Sequence, residues 1–79
     1  MNLSEAIILA GEEYKRASKK FPPFRSPHEG IAIIEEEFTE LRQEVFTKPV
    51  GSEEAKKRCI EKEATQLAAM ALRFLVDLC

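Results

Sequence analysis

Residues 67–76 are apolar on nearly every face of a helix, and this run constrains the fold more than any other feature of the 79-residue chain. Only Arg73 interrupts it. A helix that is apolar all round needs other elements on all its sides. Two short partners from the same chain are too few to cover it, so we expect an oligomer in which chains complete four-helix-like bundles.

Apolar residues spaced three and four apart predict three helices in a single all-α domain, residues 1–79. Asn2, Ser26 and Ser52 are the expected N-caps, and Glu29 completes a capping box at the second helix. The first two helices are short, and the third runs to the C-terminus. Their expected buried stripes are Leu3, Ile7, Ala10, Tyr14, Ala17 and Phe21; then Ile31, Ile34, Phe38, Leu41 and Val45; then Ile60, Ala64, Leu67, Ala71, Phe74 and Leu78.

Prolines and a glycine mark the breaks between these helices. Pro22 and Pro23 stop the first helix, and Pro27 suits the first position of the second. Pro49 and Gly51 mark the turn before the third helix.

Composition narrows the classes of function. The net charge of -2 provides no basic field, which argues against a nucleic-acid partner. The longest apolar run is too short to span a bilayer, so we expect no membrane partner. Cys59 and Cys79 are too far apart along one helix to form a disulfide, so we interpret them as free thiols. Free thiols are typical of the reducing cytoplasm, where we expect the protein to be.

Glutamates at helical spacing are the candidate site. Glu37 and Glu40 share one helix face, as do Glu63 and Gln66 on the third helix. Together they offer three carboxylates and an amide, and Mg²⁺ prefers oxygen ligands of this kind. The alternative is an acidic stripe that is simply solvated.

Two stretches of the sequence, HEGIAIIEEEFTEL at residues 28–41 and EATQLAAMALRF at residues 63–74, resemble the small MazG-like proteins. These belong to the all-α nucleoside triphosphate pyrophosphohydrolases. The family pattern is Glu-Glu-x-x-Glu on one helix and Glu-x-x-Asp on a later one. Glu36, Glu37 and Glu40 match the first part, and Glu63 begins the second, but Gln66 stands where the family has aspartate.

The resemblance implies a function and a set of roles. Glu36, Glu37, Glu40 and Glu63 would be catalytic, with Mg²⁺, or Mn²⁺ in its place, held by Glu37, Glu40, Glu63 and the amide of Gln66. The substrate would be a nucleoside triphosphate, hydrolysed to the monophosphate and pyrophosphate. The oligomer expected from the apolar run of residues 67–76 would be a homodimer or homotetramer.

Gln66 keeps a second function open. An amide oxygen can ligate Mg²⁺ but brings no negative charge, so metal binding and activity are weakened if aspartate is needed. The alternative to the enzyme is therefore a catalytically degenerate helical oligomer that acts as a nucleotide-binding, metal-binding or protein-interaction module.

Basic residues have two interpretations each. Arg73 is either a phosphate contact or a member of a salt bridge, with Asp77 one turn on or with an acidic residue of another chain, and we favour the salt bridge. A second group of basic residues either contacts phosphates or forms a solvated helix face, and we favour the solvated face. These residues are Lys56, Lys57, Arg58 and Lys62. We expect His28 to be a surface residue and Glu44 to be exposed.

Overall fold

A computed structural model describes residues 1–48 and 51–79, and in those residues all regular structure is helical. The helices are α1 (Leu3–Lys20), α2 (Pro27–Phe46) and α3 (Glu53–Leu78). The predicted all-α class with two shorter helices and a longer last one is confirmed. Pro49 lies outside the described residues. Within the described residues no helix is both long and apolar enough to cross a membrane.

The predicted caps begin all three helices. The side chains of Asn2, Ser26 and Ser52 each accept a hydrogen bond from a backbone N–H three residues on, at 2.9–3.1 Å. The capping box at α2 is only half formed, because the Glu29 carboxylate accepts from the Arg25 N–H at 3.2 Å and pairs with the Arg25 side chain. These caps satisfy N–H groups that a helix leaves without internal partners.

α3 is the element on which both other helices pack, and α1 and α2 do not approach each other within 8 Å between Cα atoms. Residues early in α2 meet residues late in α3, so these two helices are antiparallel. The order is the same along α1 and α3, which makes that pair parallel. The core lies along α3 and is small. Its buried apolar residues are Ala17, Phe24, Ala69 and Met70.

The predicted stripe of α2 is wrong in part. Ile34 and Leu41 are half-buried, but Ile31, Phe38 and Val45 are 48%, 52% and 45% exposed. One helix can turn only one side to α3, and the side that it turns there also contains acidic residues. The remaining apolar positions form a surface seam with a spacing of seven residues.

The predicted stripes of α1 and α3 also need correction. On α1 only Ala17 is fully buried, and Leu3, Ile7 and Phe21 are exposed. On α3, Ala64 and Ala71 are exposed, whereas Ala69, Met70 and Arg73 are buried. The all-round apolar character of α3 left its inward face undetermined, and packing against two helices selected the face that includes Arg73.

Gly30 allows the close approach of α2 to α3. A Cβ atom at this position would lie 2.7 Å from Cδ2 of Phe74 and 3.2 Å from Cδ1 of Leu78. Such distances are below van der Waals contact, so a larger residue requires the Phe74 ring to move. Gly11, inside α1, has no heavy atom within 4 Å of the corresponding position.

Alanine at the two glycines should act in opposite directions. Gly11→Ala is expected to raise the free energy of unfolding by up to about 1 kcal/mol, because alanine favours the helix. Gly30→Ala has the same gain but must overcome crowding that typically costs about 1–3 kcal/mol, so it should be destabilising. Urea unfolding followed by circular dichroism, at one protein concentration, measures both. Equal stabilisation by the two variants would contradict the close packing at Gly30.

Candidate metal centre

Three carboxylates from two helices converge in the groove between α2 and α3. Glu37 and Glu40 come from adjacent turns of α2, and Glu63 faces them from α3. One carboxylate oxygen from each lies within 4.8 Å of the others. Oxygens on opposite sides of a Mg²⁺ ion are about 4.2 Å apart, so a small side-chain adjustment would let all three bind one ion.

Two carboxyl groups of the cluster have raised pKa values, and the mutual repulsion of its carboxylates favours the binding of a cation. Burial, and then the charges of Glu40, Glu63 and Glu36, raise the pKa of Glu37 to about 7. Burial, and then the hydrogen bond with Glu40, also raise the pKa of Glu63 above its ordinary value. Three carboxylates this close repel one another, and a divalent cation or a shared proton relieves that repulsion.

Gln66 is the fourth member of the cluster, and its amide group lies between the carboxylates of Glu37 and Glu63. Hydrogen bonding favours the orientation in which the NH₂ group donates to Oε2 of Glu63 at 3.1 Å and to Oε2 of Glu37 at 3.2 Å. In that orientation the amide joins the two helices as a donor. Ligation of a metal by Gln66, as the sequence predicts, uses the opposite orientation, in which the amide oxygen faces the carboxylates.

Two further glutamates border the cluster. Glu36 is exposed and lies beside it, where its charge contributes to the raised pKa of Glu37. Glu44 is half-buried, so the expectation that it is exposed was wrong, and its charge contributes to the raised pKa of Glu63. Glu44 is seven residues from Glu37, two helical turns on, and that spacing was the signal for its position.

An apolar cavity of about 390 Å³ adjoins the cluster, with Glu37 and Gln66 at its edge. Its size lies within the range of small-molecule sites, which combine apolar walls with a few polar groups. Phe24 was not among the predicted buried residues, although an aromatic residue between prolines was a signal of a buried connector. The apolar lining residues are Ala17, Phe21, Pro22, Phe24, Ile33 and Met70.

Arg73 fastens the α1–α2 connector to α3 at the far end of this cavity. Its Nη2 donates to the carbonyl oxygen of Pro22 at 2.5 Å and lies 4.0 Å from Oδ2 of Asp77. Asp77 accepts from the Phe24 N–H at 3.0 Å, and the guanidinium lies 4.5 Å from the centre of the Phe24 ring. The predicted ion pair with Asp77 is confirmed. The Nε of Arg73 is buried with no partner among the described residues.

The other predicted basic residues lie outside the cluster. His28 is exposed, as expected. Lys56 donates to the carbonyl oxygen of Thr47 across the turn before α3. Arg58 and Lys62 line a second groove, between α1 and α3.

No protein-family model, curated protein or solved structure matches this chain.

Glutamine mimics a protonated carboxyl group. Because the pKa of Glu37 is raised, the free energy of unfolding of the Glu37→Gln variant should differ from that of the parent by an amount that depends on pH. The folded pKa of about 7 lies above the model value of 4.5, so the stabilisation is complete below about pH 4.5 and is lost as the pH rises through 7. Without divalent metal, the variant should have the same free energy of unfolding as the parent at pH 5. At pH 8 its free energy of unfolding should be higher by about 1 kcal/mol, a value reduced for solvent screening.

Urea unfolding in EDTA at the two pH values measures this difference. The same gap between parent and variant at both would contradict the assignment of a raised pKa to Glu37.

Proposed function

We propose that the protein is a metal-dependent nucleoside triphosphate pyrophosphohydrolase, which converts a (deoxy)nucleoside triphosphate and water to the monophosphate and pyrophosphate. The observation that carries the proposal is the convergence of Glu37, Glu40 and Glu63 within 4.8 Å. The resemblance of residues 28–41 and 63–74 to the MazG-like proteins supports it independently of the geometry.

The carboxylates of Glu37, Glu40 and Glu63 hold Mg²⁺ or Mn²⁺ in this proposal. Such an ion screens the charge of a triphosphate, lowers the pKa of a bound water and stabilises charge on the reacting phosphoryl group. Glu36, at the edge of the cavity, adds negative charge beside the ligands. Gln66 keeps Glu37 and Glu63 close together before the metal arrives.

The apolar cavity would take the nucleoside part of the substrate. Its volume of about 390 Å³ accommodates a base and a sugar, and its aromatic wall at Phe24 offers a surface for stacking. A nucleoside seated there places its phosphates toward Glu37 and Gln66, the lining residues that also belong to the metal cluster. We therefore assign Arg73 to the support of the cavity wall rather than to a phosphate.

The alternative function is a catalytically degenerate oligomer that binds nucleotide, metal or another protein. The observation that favours it is the position of the Gln66 amide, which in the orientation that hydrogen bonding favours donates to Glu37 and Glu63 and holds these carboxylates together. A neutral donor at this position reduces the attraction of the cluster for a divalent cation.

We also propose that the protein is a homodimer or homotetramer in the cytoplasm. The surface seam of Ile31, Phe38 and Val45 has the seven-residue spacing with which helices pair, and Leu75 and Val76 are more than half exposed on α3. The two exposed free cysteines suit a reducing compartment.

Catalysis should require the cluster and not its neighbours. With Mg²⁺ or Mn²⁺, the purified protein is expected to release pyrophosphate from at least one member of a nucleoside triphosphate panel. Glu40→Gln should lower this rate at least tenfold and abolish the increase in melting temperature that the metal causes, because one anionic ligand is lost. Glu35→Gln, an exposed neighbour on α2, is the matched control. A Glu40→Gln variant as active as the control would contradict the proposal.

Gln66→Asp separates the two candidate functions. If aspartate restores a missing anionic ligand, the variant should bind Mg²⁺ more tightly and release pyrophosphate faster than the parent, as calorimetry and a pyrophosphate assay measure. A slower variant would mean that Gln66 itself contacts metal or substrate. Absence of metal and nucleotide binding in both proteins would leave only the structural oligomer.

The oligomer should depend on the exposed apolar residues of α2 and α3. Light scattering is expected to give at least twice the 9.0 kDa mass of one chain. Phe38→Glu or Leu75→Glu should dissociate the assembly, because burying an unpaired charge costs several kcal/mol. Thr39→Glu, at the exposed position next to the seam, should leave the mass unchanged. A stable monomeric parent at micromolar concentration would contradict this proposal.

A further inference from the structure

A second groove, between α1 and α3, lies on the other side of Gln66 from the metal cluster. It has a volume of about 690 Å³ and shares Glu13, Arg16 and Gln66 with the apolar cavity. The groove therefore adjoins the proposed nucleoside site at these three side chains. The residues that line it are Leu9, Glu13, Arg16, Arg58, Glu61, Lys62, Thr65 and Gln66.

Arg58 and Lys62 carry the available positive charge of this groove. They are four residues apart on α3, so they share a helix face. Neither has an ion-pair partner within 4.0 Å in the part of the chain that the structure describes. Arg16 is neutralised by Glu13, to which it donates at 2.9 and 2.6 Å.

The charge of Lys62 influences the pKa of one carboxyl group on α1 and of another on α3. Its charge contributes to the lowered pKa of Glu13, behind the Arg16 hydrogen bond, and it opposes the rise in the pKa of Glu63. Lys62 also directly precedes Glu63 on α3, so it is the cation of the groove nearest in sequence to the carboxylate cluster. With Glu13 and Arg16 paired, Arg58 and Lys62 face only one other carboxylate in the groove, that of Glu61.

We propose that this groove binds a chain of linked phosphates through Arg58 and Lys62. Two cations one turn apart match successive phosphate groups, and the arginine fork donates two parallel hydrogen bonds to phosphate oxygens. The inference deepens the proposed function, on which its nucleotide form rests. The phosphates belong either to a nucleotide whose base lies in the cavity or to a free inorganic polyphosphate.

Gln66 borders the cavity, the groove and the cluster. One nucleotide can therefore occupy the cavity with its nucleoside and the groove with its phosphates. With the nucleoside in the cavity, the α-phosphate would pass Gln66 and the distal phosphates would reach Lys62 and Arg58. Such a site should bind a nucleoside triphosphate more tightly than a monophosphate, since only the longer phosphate chain reaches both cations. Nucleic acid is a poor fit, because the net charge of the whole chain is -2.

The test is calorimetric titration of the full chain in EDTA with inorganic tripolyphosphate, orthophosphate and a nucleoside triphosphate. Tripolyphosphate should bind at least tenfold more tightly than orthophosphate. The double variant Arg58→Gln with Lys62→Gln should weaken tripolyphosphate binding at least tenfold. The matched control is Lys15→Gln with Lys19→Gln, an exposed pair with the same spacing and charge change on α1, and it should alter binding by less than about twofold.

The outcomes also separate the two ligand sources and the two proposals. A nucleoside triphosphate that binds more tightly than tripolyphosphate indicates a nucleotide, and equal binding indicates an inorganic chain. Because EDTA removes divalent metal from every sample, failure of metal binding or hydrolysis leaves the tripolyphosphate result intact. The inference is overturned if the parent does not bind tripolyphosphate, or if both double variants weaken it equally.

Discussion

The packing of α2 against α3 is the contact on which the rest of the structure depends. At one end, Gly30 lets α2 approach the Phe74 ring, and in the middle Gln66 joins the two helices through its amide. The same antiparallel alignment brings Glu63 opposite Glu37 and Glu40. Because the carboxylates come from different helices, any shift of one helix along the other separates the ligands. The core and the candidate site are thus products of a single interface.

Local chemistry predicted the ends of the helices, whereas the inward faces required the structure. Asn2, Ser26 and Ser52 cap their helices as expected, because capping depends on a few neighbouring residues. Apolar periodicity could not choose between two apolar sides of α2, so Phe38 was assigned to the core and is half exposed. The carboxylate cluster was predictable, since helical spacing aligns Glu37 with Glu40 and the resemblance supplied Glu63 as the partner.

The orientation of Gln66 and the groove around Lys62 could not be predicted from spacing alone. Each depends on which helix faces which, and α1 contributes to the groove because it packs on α3. The resulting arrangement puts opposite charges on either side of Gln66, with carboxylates toward α2 and cations toward α1. An anion that also carries a metal fits such a surface, because each of its parts meets the complementary charge.

The metal site proposed at Glu37, Glu40 and Glu63 can be tested by anomalous diffraction from crystals grown with Mn²⁺, because this method locates the ion without reference to activity. We expect one strong peak bounded by these three carboxylates, at about 2.2 Å from an oxygen of each, close to the distances typical of hard cations. A map with no peak at this position, or with its strongest peak at other residues, would contradict the proposed site.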